Sequence, residues 1–490
     1  QLLGNIYRST GKLAEVEAMF RGALRIREAA FGGEHPLVAQ SLNSLGLLYL
    51  ATGKYADAEK CLKKGLEIRQ KALVPEHQDV ANSMSSLARL YMLLGNYTEA
   101  EKLISRSMNI REKLLGTEHP QYAISIAALA ELYEAMGKYR DAEILYRKAL
   151  EIAEKSRGNE HPATARLMTS LASLYLKIGR YENAGKLVEK SIRINREKLG
   201  KEHLQTARSM EVQAEMYTAR GLYAEAEPLC KLVLGIREKA LTRDHPLVAD
   251  SRMSLAALYR TSGRVYDAEQ EYRKAFEIKE KALGREHLEV AEVINLLGTL
   301  YQARGAMKEA ESAYSRSLDI REKAFGKYHP DIADSYDTLA DFFMAVNNYQ
   351  EAELRYKTAL EIREKIYDKS APQIAESMQH LGVLYRQTGR YEASGHYLEK
   401  AYTSRLGLLG EKHPKVAESA KELAMLYALQ GRHAESNRFF NQQMQIEGIK
   451  RDNVFLLLSE REKLHYMNET ERAIHEYLSH SSTYLTTDTQ

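Results

Sequence analysis

Residues 35–76 read HPLVAQSLNSLGLLYLATGKYADAEKCLKKGLEIRQKALVPE, and His77 follows at once. His35-Pro36 opens a helix: proline's φ is already helical, and its missing N–H is not needed at the first helical position. Leu42, Leu45, Leu48 and Tyr49 then recur at steps of three and four, which is one face of an α-helix. Gly53 stands where a helix end calls for a left-handed residue. Tyr55, Ala58, Leu62, Leu66 and Ile68 mark the apolar side of a second helix, which runs on through a charged extension, Arg69 to Leu73. The stretch is a helical hairpin.

The hairpin repeats every 42 residues. Histidines stand at His35, His77, His119, His161, His203, His245, His287 and His329; Ala371 takes the next place and His413 the one after. Glycines keep the same register from Gly11 and Gly53 to Gly389 and Gly431, with Asn347 as the one replacement. Asparagine is the next-best residue for a left-handed backbone. An aromatic recurs from Tyr7 and Tyr49 to Phe343, Tyr385 and Tyr427. Small residues hold two further positions, one running Gly46, Ala88, Ala130 and Ala172, the other Ala58, Ala100, Ala142 and Ala184, and so let the helices of a hairpin approach closely. One hairpin cannot bury its apolar face alone, so the units stack into a solenoid held by nearest neighbours.

Composition narrows the function. Of 490 residues, 70 are Lys or Arg and 67 are Asp or Glu, a formal net charge of +3. That balance excludes a strongly basic nucleic-acid arm and an acidic solvating chain. With 28% charged and 44% apolar residues the chain folds. Two cysteines exclude a disulfide framework and fit a reducing compartment, so a cytoplasmic location is expected. No apolar stretch approaches the roughly 18 residues of a membrane span.

The pattern Leu42-x-x-Leu45-Gly46-x-x-Tyr49, followed by Gly53, Tyr55 and Ala58, resembles the tetratricopeptide repeat. Its longer period and its linker, written here Gly116-Thr117-Glu118-His119-Pro120, resemble the kinesin-light-chain type. The resemblance implies an all-α, right-handed superhelical solenoid of two-helix hairpins that binds proteins or peptides and carries no catalytic residue or cofactor. The expected organisation is a partial unit over 1–34, ten units over 35–455, a connector helix over 456–478 and a loose tail over 479–490. Ser459 and Glu462 form a capping box for that connector. The segment Leu458 to Met467 is similar to the connector that joins such arrays to CHAT domains, which are caspase-like proteases. A sensor arm of a larger protease is therefore the rival expectation. A motor-cargo adaptor is a third, disfavoured because no heptad region precedes the repeats in this sequence.

The nine linker histidines are expected to start helices, because neighbouring units lie roughly 8–10 Å apart, too far to share a metal held at about 2 Å. His475 and His480 are five apart and leave a common helix face, so no metal site is expected. Cys61 and Cys230 fall near core positions as buried thiols.

In arrays of this family the first helices line a concave groove. The resemblance assigns three groove positions per unit: two residues before Leu42, one after it and five after it. The first position runs Gln40, Asn82, Ile124, Arg166, Arg208, Asp250, Glu292, Asp334, Glu376 and Glu418. The second includes Glu211, Asn295 and Asp337, and the third Glu131, Glu215 and Asp341. These residues predict an acidic groove from Glu211 to Glu418 that steers a basic or extended polypeptide. The competing reading is that acids in a first helical turn simply favour the helix dipole. A ladder in the second helices, Arg27, Arg69, Arg111, Arg237, Lys279, Arg321, Arg363 and Arg405, lies among glutamates. It is expected to form a solvated outer face, with neither nucleic acid nor membrane as partner.

Overall fold

The computed structural model of the chain describes residues 13–369 and 371–455. The expected connector over 456–478 and the tail over 479–490 lie outside the described residues, as does the start of the partial unit. Among the described residues there are 21 helices and no strand. After α1 (Leu13–Phe31), the first helices of the units are α2 (Pro36–Ala51), α4 (Gln78–Leu93), α6 (Pro120–Ala135), α8 (Pro162–Lys177), α10 (Leu204–Ala219), α12 (Pro246–Thr261), α14 (Leu288–Ala303), α16 (Pro330–Ala345), α18 (Pro372–Gln387) and α20 (Pro414–Leu429). The second helices are α3 (Tyr55–Ala72), α5 (Tyr97–Leu115), α7 (Tyr139–Arg157), α9 (Tyr181–Leu199), α11 (Tyr223–Ala240), α13 (Val265–Leu283), α15 (Met307–Phe325), α17 (Tyr349–Ile366), α19 (Tyr391–Leu409) and α21 (His433–Phe455). No described helix is long and apolar enough to cross a membrane.

The repeated residues do the work their positions predict. Each of the nine linker histidines accepts, through Nδ1, the backbone N–H two residues on, at 3.0–3.2 Å. An imidazole thus takes the place of the serine or aspartate that usually caps a helix start. Gly53 closes its helix with φ at 72°, and Asn347 makes the same turn with φ at 59°. Where the second helix offers a leucine, the facing residue of the first helix shrinks to glycine. A Cβ on Gly46 would lie 2.7 Å from Leu62 Cγ, and one on Gly382 2.6 Å from Leu398 Cγ.

The chain packs as two compact units, Gln1–Leu339 and Ala340–Gln490. Within each, a first helix packs on its own second helix and on the second helix of the preceding repeat. Tyrosine hydroxyls tie the latter contact: Tyr91 donates to Glu59, Tyr133 to Glu101 and Tyr259 to Glu227 in the first unit, and Tyr385 to Glu353 in the second.

The first unit also returns on itself. Tyr55 stacks on Phe325 with ring centroids 6.1 Å apart, and Phe325 stacks on His329 at 3.5 Å. His287 lies against Gly53, where a Cβ would meet its Cδ2 at 2.8 Å. The helix-ending turns of the first two full repeats therefore rest on the helix starts at His287 and His329.

Candidate functional site

Within the first unit, successive first helices pack directly on one another, α2 on α4, α4 on α6, α8 on α10 and α10 on α12; α18 and α20 do so in the second unit. This places the first helices on the inner wall of the curve, and the residues that face away from the second helices form the groove.

Several residues at the expected first and third positions are open to solvent. Ile124, Arg166, Arg208, Glu292 and Asp334 are exposed, as are Arg89, Glu131 and Glu215, and Asp250 is half-buried. The second position is not. It lies about 60° round the helix from the first, which turns it into the seam between helices. Glu211 and Asp337 are each only 6% exposed, and Asn295 is half-buried. Glu211 is a structural anion: Arg237 donates to both of its carboxylate oxygens at 2.8 Å, and Arg208 to one of them at 2.8 Å. Burial works against its ionisation, but the two arginines outweigh it and hold the carboxyl below its usual range. Glu211 and Asp337 therefore leave the set of groove contacts.

The basic ladder likewise lies where the sequence did not predict. It is not a solvated outer face. Arg69, Arg111, Arg237, Lys279, Arg363 and Arg405 are all buried. Each guanidinium reaches across to the first helix of the next repeat. Arg69 Nη1 donates to the Asp79 carbonyl at 3.0 Å and to Ser83 Oγ at 2.8 Å. Arg27 meets Leu37 and Ser41 in the same way, Arg237 meets Leu247 and Ser251, Arg321 meets Asp331 and Ser335, and Arg405 meets Lys415 and Ser419. A buried cation is tolerated here because acceptors ten and fourteen residues on are built into every such repeat. Lys279 departs from this pattern, with Val293 fourteen residues on, and pairs instead with Asp250 at 2.7 Å and Glu289 at 3.1 Å.

The acids differ in how far they are already satisfied. Asp250 pairs with Lys279, although burial raises its carboxyl above the usual range. In the second unit Glu376 pairs with Lys415 at 2.8 Å, Glu418 lies 3.7 Å from Arg405, and Asp341 accepts the hydroxyl of Tyr356. Glu131, Glu215 and Glu292 are exposed and hold no side-chain hydrogen bond or ion pair. Desolvation raises all three carboxyls, with Glu134 adding to the effect at Glu131, Glu211 at Glu215, and Asp250 and Glu289 at Glu292, while Arg89 and Arg166 oppose it at Glu131, Arg208 and Arg237 at Glu215, and Lys279 and Arg321 at Glu292.

Two cavities open beside these residues. One of about 680 Å³ lies between α6 and α8, with Ile124, Ala127, Ala153 and Leu167 on its walls. The other, of about 400 Å³, lies between α8 and α10 and is walled by Arg166, Thr169, Asn195, Gln205 and Ser209. Between Arg27 and Arg405, Ala153 and Asn195 occupy the two ladder positions that lack a cation. Among the described residues no cluster of His, Cys, Asp and Glu has a metal-binding arrangement. Cys230 is buried and its thiol is pushed up to about 12; Cys61 is half-buried and its thiol is also raised by burial.

The fold and the groove define a helical-repeat solenoid of the kind that binds other polypeptides. A tetratricopeptide-repeat family model matches residues 1–71, 79–155, 127–197, 163–239, 211–281, 247–323, 289–365 and 373–446, and a second one matches 44–107. The chain belongs to the tetratricopeptide repeat family. Similar solved structures include the Podosopora anserina putative kinesin light chain with nearly identical TPR-like repeats, 30% identical, covering 42% of this chain and 97% of that one at a TM-score of 0.35. BtubC (BKLC) from P. vanneervenii is 21% identical over 47% of this chain and 91% of its own, with a TM-score of 0.40. A Rap protein complexed with Competence and Sporulation Factor is 13% identical over 76% of this chain and 98% of its own, with a TM-score of 0.49. None of the curated proteins matches this chain.

Proposed function

We propose that the protein is a non-catalytic scaffold whose first-unit groove takes an extended, cationic stretch of a protein partner. One observation carries this reading: Glu131, Glu215 and Glu292 stand exposed on the inner wall without partners, while other acids of the ladder are already bound to lysine, arginine or tyrosine. A carboxylate with no ion pair and another carboxylate beside it gains when a lysine or arginine arrives. Helix-start preference does not account for the placing of these three acids: Glu289, not Glu292, is the acid in the first turn of α14, and Glu131 and Glu215 lie deeper in their helices.

A second reading, the regulatory arm of a larger protease, rests on the segment Leu458 to Met467 and its resemblance to a CHAT connector. It is compatible with groove binding, which would then be the input that the arm senses.

The test is fluorescence anisotropy of a labelled peptide of alternating glycine and arginine on the full chain. Glu215→Gln and Glu292→Gln should each weaken binding by up to about fivefold, the range of an exposed ion pair. Lower pH should weaken it too, as the raised carboxyls take up protons. Affinities unchanged by both substitutions would sink the assignment.

A further inference from the structure

The buried ladder cation is missing from two consecutive repeats, at Ala153 and Asn195, and a cavity stands at each. The two vacancies are chemically different. At Ala153 the acceptor fourteen residues on is Leu167 in place of serine, and Ala127 and Ile124 complete an apolar wall. At Asn195 the acceptors remain. Gln205 has its backbone carbonyl ten residues on, and Ser209 its hydroxyl fourteen residues on, in the register that Arg69 and Arg237 use; the Ser209 hydroxyl is also bonded to Thr169, Ser191 and the Gln205 carbonyl.

Asn195 is too short to use this set fully. Its Nδ2 lies 3.1 Å from Ser209 Oγ and 3.5 Å from the Gln205 carbonyl. Its Oδ1 has no hydrogen-bond partner, although the residue is 1% exposed. A buried, unsatisfied amide oxygen costs free energy that a donor would restore. Ser170, the exposed Arg166 and Thr169, whose hydroxyl is bonded to Ala165, Ser191 and Ser209, also line the cavity.

We propose that this cavity is an anchor subsite for a guanidinium group of the bound partner, which there supplies the side chain that the repeat lacks. The proposal rests on the groove reading above and names the residue type that the groove selects. The chain itself shows the chemistry. Arg111 is held in the equivalent place by two neutral groups, Ser125 Oγ at 2.5 Å and Asn82 Oδ1 at 3.0 Å. Here Arg166 stands at the place of Asn82, and the unpartnered Asn195 Oδ1 is the amide acceptor beside Ser209 Oγ. A guanidinium has five donors in a flat fork and suits several acceptors around one slot, whereas an ammonium carries three donors at a point. Of the two arginines at the cavity, Arg166 acts electrostatically on Glu131 and Arg208 is paired. Arg208 is engaged by Glu211, and in the next repeat Arg237 lies beside Arg208 on that same carboxylate.

The test uses the full chain and a blocked tripeptide, acetyl-Gly-Arg-Gly-amide, with a norleucine version as control, in ligand-observed NMR titrations. The arginine tripeptide should bind and the norleucine one should not. Asn195→Arg should fill the slot from within, abolish binding by at least tenfold and raise the melting temperature. Asn195→Ala keeps the cavity but removes the acceptor, and should weaken binding by about fivefold; it decides the matter if the arginine variant fails to fold. Equal binding to the wild-type and Asn195→Ala chains would overturn the subsite while leaving the groove reading intact. Failure of the tripeptide to bind the wild-type chain would also overturn the subsite. Failure of the longer glycine–arginine peptide to bind at all would overturn the groove reading instead.

Discussion

In the first unit, Nε2 of His329 lies 2.7 Å from the carbonyl oxygen of Leu93, a residue 236 positions earlier. Nδ1 of the same ring accepts the N–H of Asp331. A neutral imidazole carries one proton, so that proton sits on Nε2 and is donated to Leu93. The residue that starts a helix in one repeat thus fastens two distant repeats of the same unit, and its capping bond at Nδ1 requires the neutral ring.

This dependence has a sign. Burial lowers the pKa of His287, His329 and His413. The Asp331 carboxylate, 3.9 Å from Nδ1, pulls His329 the other way, and Arg321 adds to the lowering. Glu289 opposes the shift at His287, while Lys279 reinforces it. A histidine whose folded pKa is depressed contributes stability that is complete above its unfolded value of about 6.5. That stability is lost as the pH falls from there to the folded value. The melting temperature of the full chain should therefore drop across that interval. In His329→Asn, which keeps a capping acceptor, the drop should be shallower. Superimposable pH profiles for the two proteins would contradict the role given to His329.

Removing Arg237 should be far more costly than removing a surface arginine. It would leave Glu211 buried with Arg208 as its remaining cation, and breaking one side of a buried pair costs about 3–5 kcal/mol. Arg237→Met should show a loss of this order in chemical denaturation. Joining it with Glu211→Gln should recover much of that loss. A loss of less than about 1 kcal/mol, the value of an exposed pair, would place Arg237 in solvent after all.

Gly382→Ala should destabilise the second unit by about 1–3 kcal/mol, the usual cost of overpacking, because its new methyl group meets Leu398. Ala172 faces Val188 in the matching place of another repeat, and both are buried. Leu398→Val should therefore rescue the alanine variant. Thermal unfolding of the two single variants and the double variant would show the rescue as non-additivity. Simple addition of two losses would refute the pairing.

The hairpins, their caps and the stacking were legible because each depends on residues close in sequence and repeated ten times. The histidine in front of proline announces a helix start, and the left-handed glycine, or Asn347, announces an end. The arginine ladder misleads because Arg69 with glutamates around it has the composition of a wet surface. Its partner was nonetheless visible: Ser41, Ser83, Ser125, Ser251, Ser335, Ser377 and Ser419 repeat in the same register, and a conserved spacing between a serine in one helix and an arginine in the previous helix signals a buried bond. Of the acids assigned to the groove, Glu292 and Asp334 are exposed, whereas Glu211 and Asp337, about 60° round the helix, are buried in the seam. The contact between His329 and Leu93 left no trace in the sequence, since it depends on the curvature accumulated over several repeats.

The most direct test of the groove account is to find where a cationic peptide lies. The glycine–arginine peptide carrying a photoreactive benzoyl-phenylalanine at one end would be cross-linked to the full chain and the adducts mapped by mass spectrometry. The account predicts adducts on the first helices, α6 to α14, around Glu131, Arg166, Glu215 and Glu292, and their loss in excess unlabelled peptide. Adducts confined to the second helices, or scattered over all helices and resistant to competition, would contradict it.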